Sequence, residues 1–88
     1  MRAERWKTLF KERDWWQGEQ ILAPQGYSIT VSFGHNTGCH FELPKPKQIV
    51  KADEYFLTVV REMPGGPWEN VYLWEDVSGV DCIPKNTG

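Results

Sequence analysis

The chain has 88 residues, 40% of them hydrophobic and 25% charged, with a formal net charge of -2. That composition is too apolar for a disordered segment and long enough for one modest core without a metal or disulfide staple. The acidic balance also argues against a protein built to grip phosphate backbones.

One domain spanning residues 1–88 is expected, with Lys85–Gly88 as a frayed tail. Charge is uneven: residues 1–18 carry a net +2 and residues 52–84 a net -6. Opposite-sign faces of this kind are compatible with head-to-tail or dimer contact. Five Trp, three Tyr and four Phe are many rings for such a short chain, and some are expected at an interface. With no apolar stretch near the ~18 residues of a membrane span and no apolar leader, a cytoplasmic protein is expected. Cys39 and Cys82 are then read as reduced thiols.

In chain order, Ala3 to about Arg13 places Trp6, Leu9 and Phe10 at the i, i+3, i+4 spacing of an amphipathic helix. Asp14 is unfavourable at a helix C-terminus and Gly18 offers a stop, so the helix is expected to end between residues 13 and 17. Asp14–Glu19, DWWQGE, resembles over six residues the double-Trp segment of SH3 domains, whose first Trp lines a groove for Pro-rich peptides. The resemblance implies that role for Trp15. The ALYDY-like strand, acidic loop and Pro-Ser-Asn-Tyr-like segment of that family are missing, and no SH3 fold is expected.

Glu19–Gln25 reads as a short edge strand or connector ending at Pro24. Tyr27–Phe33 alternates Tyr27, Ile29, Val31 and Phe33 with Ser28, Thr30 and Ser32, as a half-buried strand requires. After a loop over residues 34–38, Cys39–Leu43 alternates again. Pairing Phe33 with Cys39 sets Val31 opposite Phe41 and Ile29 opposite Leu43 on the apolar face, and Ser32 opposite His40 and Thr30 opposite Glu42 on the other. Gln48–Asp53, beyond the Pro44–Lys47 crossover, fits a strand start or one helical turn.

Tyr55–Met63 and Val71–Trp74 are aromatic and β-branched, and Pro64–Pro67 between them predicts a hairpin with a connection longer than two residues. Leu57 and Val59 share one face of the first strand, Phe56 and Val60 the other. A strand apolar on both faces needs a second cover: barrel closure, another layer or another subunit. The hairpin register stays open. Gly79 predicts a turn before a brief last strand through Val80 and Cys82.

No catalytic or cofactor signature stands out. Ser32, His40 and Glu42 are the residues that could do acid, base or nucleophile work, but they read as a polar sheet face. His35, Cys39, His40 and Cys82 lack paired-ligand spacing, and adjacent Cys39 and His40 point to opposite faces of a strand, so no metal is expected. The glycine-bearing loops match no nucleotide cradle.

The resulting expectation is an α+β fold: an N-terminal amphipathic helix packed on a four- or five-stranded antiparallel sheet, with curling toward a small barrel as a variant. The expected function is a non-catalytic binding or accessory module, a homo-oligomer with a dimer favoured, or one docking on a protein partner. Its candidate contact residues are Trp15, Trp68, Tyr72 and Trp74. The alternatives are a small-ligand binder or small enzyme with an aromatic pocket between helix and sheet, and a single-stranded nucleic-acid binder using the basic helix and Trp6.

Overall fold

The structure is a computed structural model that describes residues 2–34 and 39–85. The 34–38 loop, apart from Gly34, and the expected tail beyond Lys85 lie outside the described residues, as does His35.

Helix α1, Arg2–Glu12, turns its apolar stripe inward: Phe10 is fully buried, while Trp6 and Leu9 pack half-buried against the core. It stops at Asp14 rather than Gly18. Asp14 takes a left-handed φ of 60°, and the Asp14 N–H donates to the Lys11 carbonyl (3.2 Å) and the Trp15 N–H to the Phe10 carbonyl (2.9 Å). This is the two-bond pattern of a Schellman stop, with the apolar contact that accompanies it: Trp15 meets Phe10 edge to face at 5.3 Å.

Both Trp residues after the helix therefore leave its axis. Gly18, at φ 61°, instead serves as the first central residue of the two-residue turn joining β1 (Trp16–Gln17) to β2 (Gln20–Ile21). That position in a type II′ turn needs a positive φ.

β3 (Tyr27–Phe33) and β4 (His40–Leu43) pair in the expected register: Ile29 with Leu43, Thr30 with Glu42, Val31 with Phe41 and Ser32 with His40. The Phe33 N–H closes the pair on the Cys39 carbonyl at 2.9 Å. β5 is Gln48–Ala52 and β6 is Phe56–Met63. Between them Asp53 Oδ1 accepts from the backbone N–H groups of Tyr55 and Phe56, both at 2.8 Å. An Asx turn of this type holds two donors that Ala would release. Asp53→Ala is expected to cost about 1 kcal/mol, read as a lower urea midpoint at an unchanged slope.

β7 is Gly66–Leu73, and it pairs with β6 from Met63 opposite Gly66 to Phe56 opposite Leu73. The connection is thus the two residues Pro64 and Gly65, shorter than expected. Pro64 followed by Gly65 at φ 97° has the residue order of a type II turn. Pro67 lies within the strand, at an edge position where its missing N–H leaves the ladder intact.

A 3-10 turn, Trp74–Asp76, leads into β8, Val77–Pro84. No turn interrupts β8 at Gly79, which pairs with Ser32 beside the register shift at Ser32 and Phe33. Glycine marks an irregularity there rather than a reversal.

Among the described residues eight strands form two antiparallel sheets, ordered β1-β2-β5-β6-β7 and β4-β3-β8, and neither closes into a barrel. The fold is α+β, with one helix packed on antiparallel sheet. Ile21, Val50, Leu57 and Val59 from the first sheet and Ile29, Val31, Phe33 and Phe41 from the second belong to one core. Phe33 stacks on Tyr72 at 4.2 Å across the layers.

Gln48, only 8% exposed, also ties the sheets. Its amide donates to the Glu42 carbonyl (2.8 Å) and its oxygen accepts from Arg61 Nε (2.9 Å). The helix does not lie across the five-stranded sheet; it seals one end, against β1 and the 3-10 turn. The second apolar face of β6 is left uncovered.

Candidate functional site

The four rings expected to form one contact surface divide between core and solvent. Trp15 is 5% exposed and Trp74 is 1% exposed. Phe10 is edge-on to both, and Trp16 stacks on Trp74 at 5.1 Å. The Trp74 Nε1–H donates to the Asp53 carbonyl at 2.8 Å. As surface contact residues these two are corrected to core residues, and Trp15 offers no open groove for a peptide.

Tyr72 is half-buried under Phe33, and Trp68 is 59% exposed. Trp68 lies opposite Arg61, on the part of the hairpin that extends past the second sheet. Of the expected set, Tyr72 and Trp68 share the inner face of β7, because residues two or four apart on a strand point the same way.

The outward face of the five-stranded sheet is the apolar surface that the residue types alone only half disclosed. Phe56 sits opposite Leu73, Ile49 opposite Val60 and Thr58 opposite Val71. Ile49, Phe56, Val71 and Leu73 are each at least 40% exposed, and Tyr55 at its border is 65% exposed. Phe56 and Val60 were legible as a second apolar face. Ile49, Val71 and Leu73 join it only once the register is known.

The space between helix and sheet is occupied by Phe10, Trp15, Trp16 and Trp74 packed on one another. A depression of about 380 Å³ does lie at its rim, lined by Glu4, Lys7, Thr8, Lys11, Trp16 and Glu54. Two of its charges pair with each other: Lys7 Nζ sits 2.9 Å from Glu4, and it also donates to the Glu54 backbone carbonyl at 3.0 Å. The hydrogen bond between Lys7 and Glu4 holds the Glu4 carboxyl below its usual range and raises the Lys7 ammonium. Lys11 Nζ rests 4.5 Å over the Trp16 ring, a cation–π contact. Trp6 packs against the core instead of standing free for a base to stack on.

On the outer face of the three-stranded sheet, His40 Nε2 is 3.9 Å from Glu42 Oε1, with both side chains well exposed. Ser32 pairs with His40 as expected. The geometry is a polar sheet face open to water. Among the described residues no three His, Cys, Asp or Glu side chains are grouped to hold a metal ion. No described helix is long and apolar enough to cross a membrane. Comparison of the chain with protein-family models, curated proteins and solved structures found no match.

Proposed function

We propose that this protein is a small non-catalytic accessory module that works by contact between protein chains and self-associates as a dimer. The observation that carries the reading is the outward face of the five-stranded sheet, where Ile49, Phe56, Val71 and Leu73 are exposed and half-buried Val60 joins them across strands. Contiguous apolar surface of this kind marks an interaction site more often than an idle one. The free thiols of Cys39 and Cys82 support a reducing, cytoplasmic setting as part of the same proposal.

The test is solution mass by sedimentation, together with the thermal midpoint, from micromolar to near-millimolar protein. The mass is expected to climb toward twice the monomer and the midpoint to rise with it, because an associating native state is stabilised by mass action. A monomer mass and a flat midpoint over the whole range would overturn the proposal. A midpoint raised by a small metabolite, with the mass unchanged, would favour a ligand-binding protein instead.

A further inference from the structure

Among the described residues strand β7 is an edge: it pairs with β6 and with no strand on its other side. The direction of its backbone groups can be read from one bond, the Trp74 N–H donating to the Tyr55 carbonyl at 3.0 Å. Because antiparallel partners alternate between bonded and non-bonded pairs, Trp68, Asn70 and Tyr72 aim their N–H and C=O groups at β6. Glu69, Val71 and Leu73 aim theirs outward. Pro67 shares that outward phase and has no N–H to offer. Leu73 is the N-cap of the 3-10 turn, so its carbonyl is committed to that turn's first bond.

We propose that β7 pairs antiparallel with β7 of a second copy of this chain, about a twofold axis at Asn70, joining the two five-stranded sheets edge to edge. The proposal rests on the self-association argued above and seats it on the β7 edge, so that the outward apolar faces of the two copies stay open for contact with another protein chain. In this register Glu69 and the second copy's Val71 exchange both of their backbone bonds, and the symmetric pair does the same. Pro67 falls opposite the second copy's Leu73. The Pro67 carbonyl accepts from that Leu73 N–H, while the donor Pro67 lacks lies opposite the one carbonyl already in use. Moving the centre to Val71 would set Glu69 N–H against that committed carbonyl and leave the Pro67 carbonyl unpaired.

The side chains agree with the backbone. Asn70 lies opposite its own copy, and two amides can exchange hydrogen bonds across the axis. On the same inner face Trp68, 59% exposed in the isolated chain, lies opposite the second copy's Tyr72, whose ring already stacks on Phe33. Aromatic pairs at directly opposed positions stabilise antiparallel strands. The uncovered end of each hairpin thereby meets the covered end of the other. On the outer face Val71 and Leu73 of both copies extend the apolar patch across the junction.

β8 is a less suitable edge, since its register is irregular near Gly79, a feature that discourages pairing and that β7, paired without a shift along its length, lacks.

The test uses three substitutions. Val71→Pro removes an outward N–H that the β6 ladder does not use, as Pro67 already does, so the monomer should fold with an unchanged far-ultraviolet spectrum. Its dimer is expected to be at least about tenfold weaker. In a Cys39→Ser, Cys82→Ser background, Asn70→Cys places two thiols at a non-bonded antiparallel pair, where Cα atoms lie ~4.5 Å apart and a disulfide can close. A mild thiol oxidant is expected to convert it to covalent dimer, and to convert Trp68→Cys in the same background far more slowly, since that thiol faces Tyr72. A parent that dimerises while Val71→Pro associates as tightly, or while Trp68→Cys cross-links as fast as Asn70→Cys, would overturn the register and leave self-association standing. A parent that never dimerises would remove both.

Discussion

Trp74→Ala is expected to leave most of the protein unfolded at 25 °C. Truncating a fully buried aromatic costs about 3–5 kcal/mol through lost burial and the cavity left behind. Trp74 adds two further losses. Its indole holds the Asp53 carbonyl at 2.8 Å, and leaving that acceptor unpaired adds about 1–3 kcal/mol. It is also the ring on which Phe10 and Trp16 both close, so the helix loses its seat.

Against a total stability of about 5–15 kcal/mol, with a small domain near the low end, such a loss exceeds the margin. Trp74→Phe keeps part of the ring area but not the indole donor, and should fall between the two. Urea unfolding followed by far-ultraviolet circular dichroism reads all three proteins. A Trp74→Ala transition within about 1 kcal/mol of the parent would mean that the helix is anchored elsewhere.

The second large effect compares neighbours on β6. Leu57 is fully buried between the layers, and adjacent Phe56 is 40% exposed on the outward face. Leu57→Ala is expected to cost about 2–5 kcal/mol. Phe56→Ala removes a larger side chain yet should cost about 1 kcal/mol or less, because most of what it loses was never shielded from water. Measured at a concentration where the protein is monomeric, the two unfolding free energies order the faces. Were Phe56→Ala the costlier substitution, the outward face would be the packed one and the reading of an open apolar surface would be lost.

How far such features could be read from residues alone depended on whether local pattern or distant packing decided them. The β3–β4 register was legible because apolar and hydroxyl side chains alternate cleanly on both strands, and a slip by one residue would bury Ser32 and Thr30. The helix ends at Glu12, one residue before the expected window of 13–17, but its stop residue was not legible: Gly18 is the usual left-handed residue, whereas the chain uses Asp14, whose short polar side chain tolerates that region. The β6–β7 register was not legible, since Pro64–Pro67 looks like four turn residues and both faces of the strand are apolar. Only the pairing of Met63 with Gly66 shows that Gly66 and Pro67 belong to the strand.

Ring exposure was the least legible feature. Trp15 is carried inward by the helix stop, Trp74 by a 3-10 turn, and Trp68 is left outside by a hairpin longer than the layer beneath it. Nothing in the local sequence distinguishes these three indoles. The outward surface is consequently only half legible, Phe56 and Val60 from the residue types and Ile49, Val71 and Leu73 only from the register, while Trp68 and Tyr72 lie on the other face of β7.

The lock between Phe10, Trp15, Trp16 and Trp74 also fixes an order of events. A ribosome makes the helix first, but Trp74, the residue that receives it, is added only after the whole of β7. Until then Trp6 and Phe10 have no lasting seat, and a helix of this length is marginal alone in water. Joining chain segments so far apart carries a loop-closure cost that slows folding. The nascent chain therefore displays its aromatic N-terminal stripe to whatever chaperone is nearby until Trp74 emerges and the two ends meet.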